Sequence, residues 1–188
     1  DGAMNWIEQF RKEIPGEHRP GEPLSAHTNF RIGGPAHVLY IPDSEESLHQ
    51  ALAFLDRAGV PVLILGGGYN LLVSDTGFRG AAVKLPETLG GALTVEGDMI
   101  SAPAGLPLKR LVREAASRGL AGVENLAGIP GTVGGAVYMN AGAYGACVSD
   151  VFVRAGAVCP RRGVFEMQAE QLKFGYRYSV LQDSQGLI

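Results

Sequence analysis

The sequence predicts a mixed α+β chain that folds in two lobes, on the strength of three observations. Hydrophobic residues make up 46% of the 188 residues, which is ordinary for a chain that buries a core. A strand pattern, a helix pattern and a second strand pattern follow one another between residues 36 and 65, as in a βαβ unit. Beyond them come short strand patterns and a further amphipathic helix, without an internal repeat. Two such lobes commonly hold a ligand between them.

The N-terminal segment, residues 1–23, predicts a helix followed by a linker. Apolar side chains recur near helical spacing from Trp6 to Ile14, and Pro15 ends the pattern. The polar, Pro/Gly-rich stretch that completes the segment is expected to be a linker or an exposed arm. Residues 1–3, which precede the first methionine, resemble a cloning scar.

The first lobe, residues 24–86, is expected to contain the βαβ unit. Residues 36–41 predict a strand, Asp43 and Ser44 are candidate N-caps for the helix that follows, and Gly59 ends that helix. Residues 60–65 predict a second strand, which is almost entirely apolar, as expected where both faces are covered. The two strands are expected to be parallel, with a right-handed crossover.

The second lobe, residues 87–188, predicts short strands around one helix. An amphipathic helix pattern over residues 108–119 ends at a glycine. Strand patterns after the βαβ unit occur at residues 81–84, at the end of the first lobe, and at residues 93–96, 99–102, 151–157 and 164–167 in the second. Gly97 and Asp98 predict a hairpin turn between two of these strands.

Composition and charge exclude several classes of protein. The net charge is -3 and the chain has no basic block, so nucleic acid is not an expected partner. The longest purely apolar run, residues 62–65, is far short of the ~20 residues of a membrane span. Cys147 and Cys159 do not make a disulfide framework, and the isolated histidines predict no metal site. A monomer in the cytoplasm is the default expectation.

Glycine is concentrated in two clusters. It makes up 27 of the 188 residues, which is twice the usual share of about 7%. Thirteen of these glycines are Gly66, Gly67, Gly68, Gly77, Gly80, Gly119, Gly122, Gly128, Gly131, Gly134, Gly135, Gly142 and Gly145. Glycine lets backbone N–H groups converge without a Cβ in the way, which suits a phosphate or pyrophosphate. A tight connection without a ligand is the alternative for the first cluster. Neither cluster has the Lys-Ser/Thr pair of a P-loop or the G-x-G-x-x-G fingerprint of a Rossmann fold.

Five segments carry a resemblance to a known family. Residues 66–75, Gly-Gly-Gly-Tyr-Asn-Leu-Leu-Val-Ser-Asp, resemble the pyrophosphate loop of the FAD-binding fold of the vanillyl-alcohol oxidase, or PCMH, type. Residues 27–34, 126–135 and 140–145 resemble segments of the UDP-N-acetylenolpyruvoylglucosamine reductase family, and residues 174–179 match its Tyr-Arg-x-Ser signature. The resemblance implies a two-lobed α+β fold, with a small βαβ lobe and a larger lobe of mixed and antiparallel sheet.

The resemblance implies an enzyme of peptidoglycan-precursor synthesis. Such an enzyme reduces UDP-N-acetylglucosamine enolpyruvate to UDP-N-acetylmuramate, and hydride passes from NADPH through bound FAD to the enolpyruvyl group. The reduction leaves an enolate that must be stabilised and protonated. Arg177 matches the family's catalytic arginine, and Tyr176 and Arg177 are the expected substrate-binding residues. A guanidinium suits carboxylate and enolate oxygens, although without the motif a structural ion pair would be the interpretation. Ser179 is expected to brace Arg177.

The resemblance also implies a set of FAD-binding residues. They are Asn29, Gly66, Gly67, Gly68, Tyr69, Asn70, Leu71, Ile129, Pro130, Gly131, Thr132, Gly134, Gly135, Ala141, Gly142, Ala143 and Tyr144. The backbone amides of residues 66–71 are expected to face the pyrophosphate, residues 129–135 the adenine–ribityl side, and residues 141–144 the flavin ring. His27 is expected to pack or cap rather than to carry a covalent flavin link.

The chain departs from the family at its C-terminal end. The family's proton donor, a serine or cysteine, and an assisting glutamate belong to a third domain, and no such segment occurs before residue 188. We therefore expect a chain that binds FAD but lacks the substrate domain, and that does not turn over or does so far more slowly than the intact enzyme. Two alternatives stay open, namely another FAD-linked oxidase of the same fold and a non-catalytic flavin-binding module.

Overall fold

A four-stranded sheet with helices beside it forms the first part of the chain. The computed structural model describes residues 2–183, with side chains from Trp6 onward. Asp1, part of the predicted cloning scar, and residues 184–188, the end of the predicted second lobe, lie outside the described residues. The helices are α1 (Gly2–Glu13), α2 (Glu45–Arg57), α3 (Leu108–Ser117) and α4 (Val133–Tyr138). The strands are β1 (Glu17–Pro20), β2 (Ala36–Ile41), β3 (Val62–Leu65), β4 (Phe78–Lys84), β5 (Thr94–Glu96), β6 (Met99–Ser101), β7 (Gly142–Ala143), β8 (Ala146–Cys147), β9 (Arg154–Cys159) and β10 (Gly163–Gln168). Short 3₁₀ turns lie at Leu24–Ala26, Glu124–Leu126, Val148–Asp150, Ala169–Leu172 and Val180–Gln182.

The sheet has the strand order β1-β2-β4-β3. Both β2 and β3 run parallel to β4, with Leu39 and Leu63 each opposite Ala82. The predicted parallel strands joined by α2 are therefore confirmed, and β4 lies between them. β1 pairs antiparallel with β2, with His18 opposite Tyr40.

The second strand of the βαβ unit lies at the edge of the sheet. β3 is two residues shorter than predicted, and within it Leu65 is buried while Val62, Leu63 and Ile64 are partly buried. The apolar run predicted a strand covered on both faces. That prediction is confirmed, because Val62 and Ile64 pack against the core around α2 while Leu63 and Leu65 pack on the opposite face. Since β4 takes the central position, β3 has one open edge.

The segment predicted as a linker contains strand β1. Helix α1 packs on the sheet through Phe10, which is fully buried with its ring 5.2 Å from Tyr40 and 5.3 Å from Phe54. β1 then brings His18 against the same rings, 5.0 Å from Phe10 and 5.0 Å from Tyr40. The sequence predicted a linker here because the segment is polar. Only one side chain of this edge strand, His18, is partly buried against the core, so β1 needs few apolar residues.

Helix α2 begins and ends where its capping residues predicted. The Ser44 hydroxyl accepts a hydrogen bond from the Ser47 amide at 3.1 Å, and the Ser47 hydroxyl accepts one from the Ser44 amide in return. After Arg57 the chain leaves the helix at Gly59, which has a φ of 64°. The helix buries Leu48, Leu52 and Leu55 on one face of the sheet.

Loops cover the opposite face of the sheet. Leu39 and Ala82 pack there with Leu24, Leu65 and Val73, which belong to or flank the loops after β1 and after β3. The amide of Asn29 also donates a hydrogen bond to the carbonyl of residue 68 at 2.9 Å. The glycine-rich loop that follows β3 is therefore held beside residues 24–34.

The second lobe contains the predicted hairpins and helix. β5 and β6 pair across the predicted Gly97–Asp98 turn, and β9 and β10 pair antiparallel over their whole length. Helix α3 covers the predicted amphipathic segment and buries Leu108 and Val112. Residues 151–153, predicted as the start of a strand, precede β9.

Helix α4 was not predicted. It contains Gly134 and Gly135, which are poor helix formers, within the glycine-rich stretch. Tertiary contacts compensate, because Ala136 is buried in the core of the second lobe and the Gly134 amide donates a hydrogen bond to the Ala104 carbonyl at 2.8 Å. The Thr132 hydroxyl caps the helix by accepting from the Gly135 amide at 3.3 Å.

The β9–β10 hairpin reaches back to the first lobe. Val158 joins the core around α2, and Arg161 forms a 3.1 Å ion pair with Asp56. The division into lobes after residue 86 stays a prediction. Within residues 2–183, none of the helices combines the length and hydrophobicity that a membrane crossing requires. The same residues contain no group of three His, Cys, Asp or Glu side chains placed to hold a metal ion.

Candidate functional site

The two glycine clusters meet at one place in the fold. A Cβ added to Gly66 would lie 2.8 Å from the Thr132 hydroxyl, and one added to Gly67 would lie 2.9 Å from the Gly131 Cα. Side chains at these positions would force apart the loop after β3 and the loop before α4. Glycine is thus required for the close approach of two segments that are more than sixty residues apart in the chain.

The loop after β3 leaves its amides available. Within the part of the chain that the structure describes, the N–H groups of residues 66–70 donate no hydrogen bond to the protein. Gly68 has a φ of 68°, and its carbonyl accepts a hydrogen bond from the amide of Asn29. Successive unpaired N–H groups in a bent loop suit an anion such as a pyrophosphate.

A cavity of about 330 Å³ opens beside this loop. Five of the residues predicted to bind FAD line it together, namely Asn29, Gly66, Gly67, Tyr69 and Thr132. The remaining lining residues are Ala26, His27, Thr28, Arg31, Lys84 and Leu85. The lining contains two cationic side chains and no carboxylate. Lys84 and Arg31 did not belong to the predicted set, because a cation at a strand end or in a loop is usually a solvated surface residue.

Several other residues predicted to bind FAD pack against other parts of the protein. Ala141 is buried in the core of the second lobe, and Ile129 packs against that core. A Cβ on Gly134 would lie 2.9 Å from the Ala104 Cβ, and one on Gly142 would lie 2.6 Å from the Ala146 carbonyl oxygen. The following predicted residues do not line the cavity: Gly68, Asn70, Leu71, Ile129, Pro130, Gly131, Gly134, Gly135, Ala141, Gly142, Ala143 and Tyr144. Their contact with FAD stays a prediction.

Tyr144 stands at the tip of the β7–β8 hairpin. Its φ of 53° and the φ of 83° at Gly145 fit the two-residue turn that joins these strands. The side chain is 90% exposed. A tyrosine in this left-handed position costs conformational energy that asparagine or glycine would avoid. Strain of this kind, in a motif predicted to lie near the flavin ring, is consistent with a functional position.

Arg177 occupies the tip of a tight turn. The amide and carbonyl of Gly175 pair with those of Tyr178 at 3.0 and 3.2 Å, and Arg177 between them has a φ of 53°. Its guanidinium lies 5.6 Å from the ring of Tyr176, which is 92% exposed. Among residues 2–183, no carboxylate lies within ion-pair distance of Arg177. The structural ion pair considered from the sequence is therefore not formed with any described residue.

The end of helix α4 holds this turn in place. The buried Ser179 hydroxyl donates to the Tyr138 carbonyl at 2.8 Å, so Ser179 braces the turn through α4 and not through the Arg177 side chain. Asn140 donates from Nδ2 to the Gly175 carbonyl at 2.9 Å. Gln182 donates to the Arg177 carbonyl at 3.0 Å. Asn140 and Gln182 were not among the predicted site residues.

Met139 connects the arginine turn to the glycine loop. Its sulfur lies 3.5 Å from Nδ2 of Asn70 and 3.9 Å from Nε2 of Gln182. Asn70 belongs to the loop after β3, whereas Gln182 holds the carbonyl of Arg177. The predicted pyrophosphate loop and the predicted catalytic arginine therefore belong to one continuous region of the structure.

Comparisons with known proteins found several similar proteins. A family model described as "FAD binding domain" matches residues 36–166. The UDP-N-acetylenolpyruvoylglucosamine reductase of Halalkalibacterium halodurans is 40% identical over 181 residues, which are 96% of this chain and 60% of that protein. The crystal structure of UDP-N-acetylenolpyruvylglucosamine reductase from Thermus caldophilus superposes with a TM-score of 0.73 at 34% identity, over 93% of this chain and 59% of that one.

A more distant structure shares the fold alone. The 6-hydroxy-D-nicotine oxidase of Arthrobacter nicotinovorans superposes with a TM-score of 0.63 at 21% identity, over 85% of this chain and 37% of that one. With the family match, this likeness confirms the predicted two-lobed FAD-binding fold. The chain spans 55% to 60% of the length of the first curated relatives that it matches.

Proposed function

Since the chain belongs to the family of FAD-binding domains, we propose that it binds FAD where its two glycine clusters meet. The observation that carries the proposal is the run of unpaired N–H groups in residues 66–70, of which Gly66, Gly67 and Tyr69 line a cavity without carboxylates. Such a wall fits a diphosphate and disfavours a cationic ligand. Thr132, Gly66 and Gly67, which line the cavity, would then contact the dinucleotide.

We further propose that the whole protein is an NADPH-dependent reductase of UDP-N-acetylglucosamine enolpyruvate. The proposal is supported by relatives named UDP-N-acetylenolpyruvoylglucosamine reductase at about 40% identity. When bound, FAD supplies a two-electron carrier between NADPH and the enolpyruvyl group. The reaction is assigned to the whole protein because this chain spans only part of its relatives' length. The cytoplasmic location and the monomeric state stay predictions.

Arg177 is proposed to stabilise the negative charge that develops on the substrate. Its guanidinium is exposed and free of carboxylate partners among the described residues, so it can form two parallel hydrogen bonds with carboxylate or enolate oxygens. The left-handed backbone and the Gln182 hydrogen bond hold its main chain in one conformation. Its main chain therefore loses little further entropy when the substrate arrives.

Absorbance spectroscopy tests the FAD proposal directly. The purified chain, titrated with FAD, is expected to bind one flavin per chain with a shifted and structured visible spectrum. Gly67→Ala places a Cβ against Gly131 and is expected to weaken FAD binding at least tenfold. Gly128→Ala is the matched control, because a Cβ there meets nothing within 4 Å. A chain that stays colourless after reconstitution contradicts the proposal.

The reductase assignment has its own test. The whole protein is expected to oxidise NADPH only when the enolpyruvyl UDP-sugar is present. Oxygen-driven turnover of a small alcohol, sugar or amine would indicate an oxidase of the same fold. FAD binding without any turnover in the whole protein would indicate a non-catalytic flavin-binding module.

A further inference from the structure

The side chains of Glu22, His27 and Lys84 form a hydrogen-bonded triad at the cavity, which His27 and Lys84 line. Nε2 of His27 lies 2.8 Å from Oε1 of Glu22, and Nζ of Lys84 lies 3.2 Å from Nδ1 of His27. The His27 side chain is 8% exposed and that of Glu22 is 22% exposed, so most of this triad is shielded from solvent. The triad joins the segment after β1 to the last residue of β4.

The hydrogen bonds fix the roles of the three groups. A lysine ammonium has no acceptor, so it donates to Nδ1 of His27. The His27 proton therefore sits on Nε2 and is donated to the Glu22 carboxylate. This hydrogen bond is the main cause that lowers the pKa of Glu22 below its ordinary value. Glu22 thus fixes the tautomer of His27, and His27 in turn orients the ammonium of Lys84.

Lys84 lies beside the glycine loop with donors to spare. It pairs with Leu65 in the parallel register, directly before Gly66, and it lines the cavity with Gly66 and Gly67. One of its three N–H groups is used by His27. In the described range 2–183, no carboxylate lies within ion-pair distance of Lys84. Partial burial of an ammonium without a counter-ion costs free energy, and an anionic ligand in the cavity would offset that cost.

We propose that Lys84, held by His27 and Glu22, binds the diphosphate of FAD. The proposal rests on the proposed function and adds a residue to it. The unpaired amides of Gly66, Gly67 and Tyr69 supply dipoles on one part of the cavity wall, and Lys84 supplies a full positive charge on another. Phosphate oxygens are the groups of a dinucleotide that use both.

Arg31 is the second cation in the lining, and its position differs from that of Lys84. Arg31 is exposed and lies in the loop, whereas Lys84 is partly buried and fixed by a hydrogen bond at the end of a strand. Solvent and salt screen an exposed charge more strongly than a shielded one. Lys84 therefore makes the larger contribution to the affinity for the diphosphate.

Ligand titrations of the wild-type chain and of Lys84→Met test the proposal. FAD, ADP and riboflavin are titrated by calorimetry or flavin fluorescence. Since hydrogen bonds to charged groups are strong, Lys84→Met is expected to weaken FAD and ADP by roughly 10-fold to 100-fold. Riboflavin, which has no phosphate, should bind equally to both. Lys109→Met, at an exposed position on α3 outside the cavity, is the matched control and should bind all three ligands like the wild type.

A second set of variants tests the support of Lys84. Glu22→Gln and His27→Phe are expected to weaken FAD severalfold, because each loosens the ammonium without removing it. In the Lys84→Met background, neither substitution should weaken FAD further, since both act through Lys84. Circular dichroism and urea unfolding of each variant check that the chain remains folded.

The outcomes separate this proposal from the proposed function. If the wild type binds FAD and Lys84→Met binds it equally well, the role of Lys84 is overturned while FAD binding stands. An equal loss for riboflavin, or a larger loss in Arg31→Met than in Lys84→Met, also overturns it. If the wild type does not bind FAD, both proposals fail. Loss of FAD and ADP with riboflavin unchanged supports the assignment of Lys84.

Discussion

The side-chain amide of Asn140 donates a 2.9 Å hydrogen bond to the carbonyl of Gly175, which lies 35 residues further along the chain. The same side chain accepts a hydrogen bond at 3.0 Å from the amide of Ser149. Asn140 is 7% exposed and has a φ of 42°, a left-handed conformation that asparagine tolerates better than most residues. One buried side chain therefore ties the end of α4 to the turn that presents Arg177.

Replacing Asn140 should destabilise the second lobe. Asn140→Ala removes both hydrogen bonds and leaves a residue with a Cβ in the left-handed region, so we expect the free energy of unfolding to fall by about 2–4 kcal/mol. Asn140→Gly removes the same hydrogen bonds without the backbone strain and should be about 1 kcal/mol more stable than Asn140→Ala. Urea unfolding measures both values. Equal stability of the two variants would show that the backbone at this position is not strained.

Substitution of Arg177 should separate cofactor binding from catalysis. The side chain is exposed and does not line the cavity beside residues 66–70, so Arg177→Ala should bind FAD within about twofold of the wild type. Reduction of the enolpyruvyl substrate by the whole protein should fall by about a hundredfold or more, because an interaction with the developing charge is lost. Loss of flavin from Arg177→Ala would place the arginine at the cofactor instead.

The backbone of Arg177 offers an independent measurement. Its φ of 53° strains a residue with a Cβ, so Arg177→Gly should be about 1 kcal/mol more stable than Arg177→Ala. The comparison uses thermal or urea unfolding of the two variants, neither of which carries the guanidinium. If Arg177→Ala is the more stable of the two, the left-handed turn is not present in solution.

The stability of the first lobe should depend on pH through His18. Burial is the main cause that lowers the pKa of His18 below 6.5, its backbone hydrogen bond with Gly16 opposes the shift, and the charge of Arg11 adds to it. Nε2 of His18 is buried without a hydrogen-bond partner in the described part of the chain. The folded chain therefore binds a proton less readily than the unfolded chain does.

The sign of the effect follows from this difference. Stability contributed by neutral His18 is fully present above pH 6.5 and is lost as the pH falls below 6.5 towards the folded pKa. His18→Phe keeps a ring between Phe10 and Tyr40 and should remove this part of the pH dependence. Urea midpoints at pH 7.5 and pH 5.5 measure it. An unchanged pH dependence in His18→Phe would contradict the prediction.

Two glycines with similar backbone conformations should respond differently to alanine. Gly68 and Gly97 have φ values of 68° and 62°. A Cβ on Gly68 would lie 2.1 Å from the His27 carbonyl oxygen, whereas a Cβ on Gly97 meets nothing within 4 Å. Gly97→Ala should therefore cost about 1 kcal/mol of stability, and Gly68→Ala clearly more, with weakened FAD binding. Urea unfolding and FAD titration distinguish the two variants. Equal losses of stability would show that residues 27–28 do not pack against the loop at Gly68.

Local patterns in the sequence predicted much of the fold. The N-cap Ser44, the C-terminal Gly59 and the apolar spacing between them identified α2, because caps and helical periodicity are properties of neighbouring residues. The hairpin turn at Gly97 and the glycine-rich loop after β3 were identified for the same reason. Helix α4 escaped prediction because its glycines have low helix propensity, and its stability comes from tertiary contacts.

By itself, the sequence determined the family resemblance, the βαβ unit with helix α2 and the glycine-rich loop after β3. Only the tertiary structure decided that β3 lies at the sheet edge, that Lys84 meets His27 and that Asn140 holds Gly175. These pairs are 57 and 35 residues apart, and no periodicity relates residues at such distances. Hydrogen bonds form between atoms that lie about 3 Å apart, whatever their separation along the chain, and that proximity depends on how the strands pair and where the loops close.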